Sequence, residues 1–305
     1  MKTSTLVTAL CTTVAAALAA IPSSHNQQRS QQQPRLLHTL PPSPSHLSTH
    51  THTLSIAAES VHGGAIFTPS NKTNITTATG TFIIPHARVP TAGPTANNSA
   101  SLYAASFHVS IDGLSSSTPP CGAALRAGID IIYDAAADGE QRPFAWYQLA
   151  PADAVGFANF SAAPGDTVRL TVTASAAQPG AGVATVENFG HLPAGKSSAA
   201  VLQTASVTVV GKQGIALCRR QAGWVVEDFP LPGLPDFPVA LADFTAVTFG
   251  GLGVGLDSGR KVGEKEFVAG TRLVDISQEA QGGRLTKCEL VRGERGVSAS
   301  GVEAH

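Results

Sequence analysis

Residues 166–174 read DTVRLTVTA. Val168, Leu170 and Val172 fall on one side of an extended chain, and Thr167, Arg169, Thr171 and Thr173 on the other. That period of two marks a half-buried β-strand. Turn residues bracket it: Pro164 and Gly165 before, Pro179 and Gly180 after. Working outward, residues 81–84, 102–111, 144–149, 183–186, 206–210, 224–229 and 244–249 also read as strands, punctuated by Gly, Pro, Asn and Asp. Helix signals do not recur. Many short strands separated by turns point to an all-β sandwich or barrel. The run GGLGVG at 250–255 lacks the GxGxxG spacing and a βαβ setting, so it reads as a loop and not as a phosphate cradle.

The N-terminus has a different character. Lys2 precedes an apolar stretch from Leu6 to Leu18, too short for the ~20 residues that span a bilayer. Ala17-Leu18-Ala19 is a small-x-small cleavage signal, so residues 1–19 read as a signal peptide lying outside the fold. Residues 20–58 are rich in Gln, Pro, Ser and Thr and contain five of the ten histidines: His25, His38, His46, His50 and His52. Such a tract buries too little apolar surface to offset its chain entropy, and it reads as a disordered propeptide. Residues 59–305 remain for one β domain. The expectation is a secreted, extracellular monomer with no membrane association once the signal segment is removed.

Charge is sparse between residues 61 and 250, with nine Lys or Arg against twelve Asp or Glu, so no nucleic-acid surface is expected. The signal segment contains Cys11; Cys121, Cys218 and Cys288 remain, which fits one bridge and one leftover thiol. Asn71, Asn74, Asn97 and Asn159 each begin an N-x-Ser/Thr sequon, which suits a secreted glycoprotein.

Chemistry centres on residues 224–229, WVVEDF. On a strand, Glu227 shares a face with Val225 and Phe229. If that face is partly desolvated, the carboxyl becomes a candidate general acid or base. On the residues alone, an ordinary solvated strand glutamate is the simpler and favoured account.

This segment resembles the catalytic-glutamate segment of the eqolisins, the glutamic peptidases. Companion motifs follow in family order: TGTFIIP at 79–85, SIDG at 110–113, LTVTAS at 170–175, ATVEN at 184–188, ADFTAVTF at 242–249 and LVDI at 273–276. The resemblance implies a concanavalin A-like sandwich of two packed antiparallel sheets. It implies polypeptide substrates, zymogen processing, acidic working pH and no metal or other cofactor. It also implies a Cys121–Cys218 disulfide, with Cys288 a packed, unpaired strand residue. In the family a glutamate activates the attacking water and a glutamine stabilises the oxyanion. Glu227 matches the glutamate. The glutamine pattern Leu-Gln-x-Gly-x-Asp appears here as LRAGID at 125–130, with Arg126 in the glutamine's place.

Other cleft positions differ too. His62 and His108 stand where the family has tryptophan, and FAWY at 144–147 lacks the family's acidic residue while keeping Trp146 and Tyr147. The resemblance therefore assigns catalysis to Glu227 with Arg126, and substrate contacts to Asp112, Asp130, Trp146, Tyr147, His62 and His108. Gln148 is a further amide that could donate to an oxyanion. The implied function is a secreted, acid-acting glutamic endopeptidase. The alternative is a catalytically inactive relative that binds peptide or glycan in the same groove.

Overall fold

The computed structural model describes residues 6–13, 57–59, 61–70, 73–90, 102–114, 122–137, 139–192, 200–229, 239–244, 246–278 and 283–293. In chain order these form β1 (Leu6–Thr13), β2 (Ala57–Glu59), β3 (His62–Phe67), β4 (Ile75–Ile83), β5 (Leu102–Ile111) and β6 (Ala124–Asp134). Next come β7 (Glu140–Ala150), β8 (Val155–Gly156), β9 (Thr167–Ala174), β10 (Ala181–Asn188), β11 (Gln203–Val210) and β12 (Ala222–Glu227). The last are β13 (Ala240–Leu241), β14 (Ala246–Leu256), helix α1 (Glu264–Gly270), β15 (Thr271–Gln278), β16 (Gly283–Arg284) and β17 (Thr286–Gly293).

Two sheets result. One has seven strands in the order β11-β10-β9-β4-β14-β1-β17. The other has ten, with the path β16-β15-β3-β12-β5-β6-β7-β8 and with β2 and β13 attached at its side. Pairing is antiparallel except where β2 meets β15 and β13 meets β5. The expected all-β sandwich of two packed antiparallel sheets is the fold observed.

Alternation along each strand builds the core between the sheets. Trp224 of β12 is fully buried and donates its indole N–H to the Thr79 carbonyl of β4 at 2.8 Å. It lies over Gly80, where a Cβ would stand 2.6 Å from the indole. Phe82 of β4 packs on Phe107 of β5 and Phe249 of β14, with ring centroids 5.8 and 5.0 Å apart. Phe267 of α1 stacks on Phe67 at 5.5 Å. Each such side chain contributes about 1.5–3 kcal/mol on burial, and together they lock one sheet onto the other.

Four expectations need correction. The glycine run 250–255 is not a loop but the second half of β14, paired to β4 with a register shift between Gly250 and Gly253. Glycine is tolerated there because a bulge needs backbone freedom, and Gly251 has φ +58. Residues 6–13, expected to lie outside the fold, form β1 and pair with β14 on one side and β17 on the other. The physical reason is that a short β-branched, apolar segment satisfies two ladder edges at once. Cys288 is disulfide-bonded and not a lone thiol, as is Cys218. Cys288 stands directly opposite Cys11 in the β1–β17 ladder; the lone-thiol expectation arose from discarding Cys11 with the signal segment. Finally, one short helix, α1, is present where none was read.

Cys121, the implied partner of Cys218, lies outside the described residues, as does nearly all of the expected propeptide. Its assigned boundary falls within β2. No described helix is long and apolar enough to cross a membrane.

Candidate active site

Strand β12 points Trp224 and Val226 into the core and Val225 and Glu227 to the outward face of the ten-stranded sheet. Register then decides Glu227's neighbours. It stands opposite His62 of β3 and Ser106 of β5. Ser106 in turn faces Asp130, His108 faces Gly128, and Ser110 faces Arg126 on β6. One strand further, Trp146 pairs with Gly128 and Gln148 with Arg126. Residues spread over 165 positions of sequence thus converge on one patch. Two small apolar clusters flank it: Ile66, Leu114, Val225 and Val274 on one side, Phe144, Trp146 and Ala154 on the other.

Glu227 is 5% exposed, His62 5% and His108 0%. His108 Nε2 lies 3.1 Å from Glu227 Oε2, and Arg126 Nη1 lies 3.6 Å from the same oxygen. His62 Nε2 lies 3.7 Å from Oε1, a separation too wide for a direct hydrogen bond. Burial works to raise the Glu227 carboxyl, but His62, His108 and Arg126 outweigh it and hold the group well below the usual carboxylate range. Burial pushes the His108 imidazole down to about 4, against the pull of the Glu227 carboxylate.

Arg126 is fixed by a 2.8 Å hydrogen bond from Nη2 to the Gly113 carbonyl. That contact keeps the guanidinium beside Glu227 without a tight, two-pronged ion pair. Gly113 leaves room for it, with φ +79 and no space for a Cβ beside Ala124.

The remaining assigned residues separate into different duties. Asp130, almost fully buried, accepts the Trp146 indole N–H at 2.7 Å, and Trp146 packs against His108 with centroids 5.8 Å apart. The pair acts as a buttress for the imidazole. Asp112 is not in the groove. Its carboxylate accepts the backbone N–H groups of Arg219 at 2.6 Å, Arg220 at 2.8 Å and Gln221 at 3.3 Å, and so anchors the loop that leads into β12. Tyr147 points to the other face of the sheet and packs against Phe157 near the main core. The alternation of β7 forces this, since Trp146 and Tyr147 cannot face the same way. Gln148 shares the face of Arg126, but its amide nitrogen donates to the Ala152 carbonyl at 2.9 Å.

Ser106 was missed in the sequence. It is 2% exposed, lies opposite Glu227, and its hydroxyl makes no hydrogen bond among the described residues. The signal was present in the even-numbered alternation of β5, which places Ser106, His108 and Ser110 on one face. A metal-capable set is also present: ligand atoms of His62, His108 and Glu227 all lie within 4.8 Å of one another.

The outward face of this two-sheet sandwich thus gathers a buried glutamate, two imidazoles and a guanidinium. The Peptidase A4 family model matches residues 60–300, and the chain belongs to that family, the eqolisins or glutamic peptidases. Aspergillopepsin-2 of Aspergillus niger is 39% identical over 147 residues, 48% of this chain and 44% of that protein. The match thus spans less than half of that relative's length. The solved structure of scytalido-glutamic peptidase with a peptide-based transition state analog is 25% identical, covers 77% of this chain and 100% of its own, and has a TM-score of 0.54. SCP-B, an eqolisin in complex with the tripeptide Ala-Ile-His, is 24% identical with a TM-score of 0.51 over 77% of this chain and 100% of its own, and supports the fold.

Proposed function

We propose that the chain is a secreted, acid-acting endopeptidase of the glutamic type, with Glu227 as general base and acid and Arg126 as oxyanion donor. The observation that carries this reading is the 3.7 Å gap between Glu227 Oε1 and His62 Nε2. A water beside the Oε1–Nε2 line, on the side reachable from solvent, can hydrogen-bond to both atoms, since both side chains keep 7% exposure. Glu227 takes a proton from that water as its oxygen bonds to the peptide carbonyl carbon. The oxyanion then faces the Arg126 guanidinium, a strong fixed donor. Glu227 returns the proton to the amide nitrogen, the C–N bond breaks, and a carboxylic acid and an amine leave. General acid–base transfer of this kind contributes about 10²–10⁴-fold, and one oxyanion donor about 10²–10³-fold.

The test is cleavage of a denatured protein across about pH 2–6 by the acid-processed full chain. Activity that persists in chelator and falls by about 10²-fold or more in Glu227→Gln supports the assignment. An inert parent that gains cleavage on Arg126→Gln would sink it.

A further inference from the structure

We propose that His62, His108 and Glu227 form a binding site for one first-row divalent transition-metal cation of the zinc type. The inference goes beyond the peptidase reading and does not depend on it.

Two imidazoles and one carboxylate are a borderline donor set suited to zinc and its neighbours and unsuited to magnesium or calcium, which take oxygen ligands. The spacing fits. Ligands bound at about 2.0–2.2 Å in a tetrahedral site stand about 3.3 Å from one another. The two imidazole–carboxylate separations here are 3.1 and 3.7 Å, and every pair of ligand atoms in the set lies within 4.8 Å.

Direction fits as well. His108 Nε2 sits 3.1 Å from Glu227 Oε2 yet makes no directed hydrogen bond to it or to any other described atom. A nitrogen and a carboxylate oxygen at that distance with no well-directed bond between them can both turn toward one shared ion. The backbone holds all three donors rigidly, since His62 and Glu227 are paired across the β3–β12 ladder and His108 lies on the adjoining β5. Trp146, itself held by Asp130, backs the His108 ring. His62 and Glu227 keep a solvent edge, which provides an entry path.

Three protein ligands leave one position open. Arg126, 3.6 Å from Oε2, opposes a second cation and favours an anion or hydroxide at that position. A bound cation would also take up Glu227 and the place of the attacking water, so occupancy and proteolysis exclude one another.

The test is titration of the chelator-stripped full chain with zinc by calorimetry at neutral pH, with cobalt(II) visible absorption as the coordination readout. One saturable zinc is expected, with no response to magnesium. His62→Gln and Glu227→Gln should each weaken it by about 100-fold, and circular dichroism checks that they are folded. Arg126→Gln removes a cation from the same patch and should tighten zinc by about tenfold, a gain that misfolding cannot produce. No saturable binding, a loss below tenfold in both ligand variants, or no tightening in Arg126→Gln overturns the proposal. Zinc retained in every variant would put it elsewhere on the chain, residues 22–58 included, and equally overturns it. Proteolysis is not used as a readout, so failure of the peptidase reading leaves these outcomes unchanged.

Discussion

Replacing Asp112 by Asn tests whether this residue serves the site by holding a loop and not by touching substrate. Its Oδ2 accepts the N–H of Arg219, and Oδ1 accepts those of Arg220 and Gln221. Asn keeps one oxygen but presents an amide NH₂ where the other stood, so at least one backbone donor loses its acceptor and meets another donor. A hydrogen bond to a charged group is worth about 1.5–3 kcal/mol, and an unsatisfied buried donor costs about 1–3 kcal/mol. The expected loss is therefore about 2–4 kcal/mol. Backbone strain does not enter, because Asp112 has φ 63 and Asn tolerates the left-handed region as well as Asp does. Asp112→Ala removes both acceptor oxygens, leaving all three backbone donors without them, and adds strain at that φ, so it should be worse. Urea unfolding followed by Trp224 and Trp146 fluorescence measures the difference. A loss of 2–4 kcal/mol appears as a fall in midpoint of about 1 M or more at unchanged slope. A loss below about 0.5 kcal/mol for Asn, or Ala no worse than Asn, refutes the anchoring argument.

Gly80→Ala places a Cβ 2.6 Å from the Trp224 ring and should cost about 1–3 kcal/mol in thermal unfolding. Gly122→Ala, which meets nothing within 4 Å, should stay within about 0.5 kcal/mol. Asp130→Ala strips the Trp146 indole of its acceptor, so stability should fall by about 1–3 kcal/mol, with a blue-shift or broadening of tryptophan emission as the ring loosens. Burial pushes the Asp112 and Asp275 carboxyls up, against the hydrogen bonds they accept. A raised folded-state value means that the folded chain holds the proton more tightly. The associated stability is therefore fully present below the unfolded value of about 3.9 and is lost as pH rises through the folded value. Asp275→Asn should flatten that decline in urea midpoints taken from about pH 3 to 7; an equal or steeper decline counts against the assignment.

Much of the fold was legible because period-two alternation survives in the strands that face both core and solvent. The pattern at residues 166–174 became β9, one residue shorter at its start, and that at 102–111 became β5 without adjustment. The glycine run at 250–255 misled because strand identity there rests on pairing to β4, not on side chains. Residues 6–13 misled for a related reason: a sequence apolar enough for export is equally fit to pair between two strands. At the site, Glu227 could be found from its motif, and Arg126 and the two histidines from their departures. Their mutual distances could not, because β3, β5, β6 and β12 are brought together only by register. Tyr147 fell to the opposite face because adjacency in a motif says nothing about side; one step along a strand reverses it. Asp112 showed the converse, since a carboxylate in a chemically suggestive turn turned out to serve backbone amides.

The parity of the strands has a practical meaning for anyone who wants to remodel this protein. On β3, β5, β6 and β7 the even-numbered positions carry His62, His108, Arg126 and Trp146, and on β12 the odd-numbered position carries Glu227, while the alternate positions of these strands line the sandwich interior. Chemistry and cohesion are thus written on interleaved letters of the same short words. A combinatorial library restricted to the outward letters can exchange bases, donors and metal ligands, while Trp224, Phe107 and Ile129 continue to hold the two layers together.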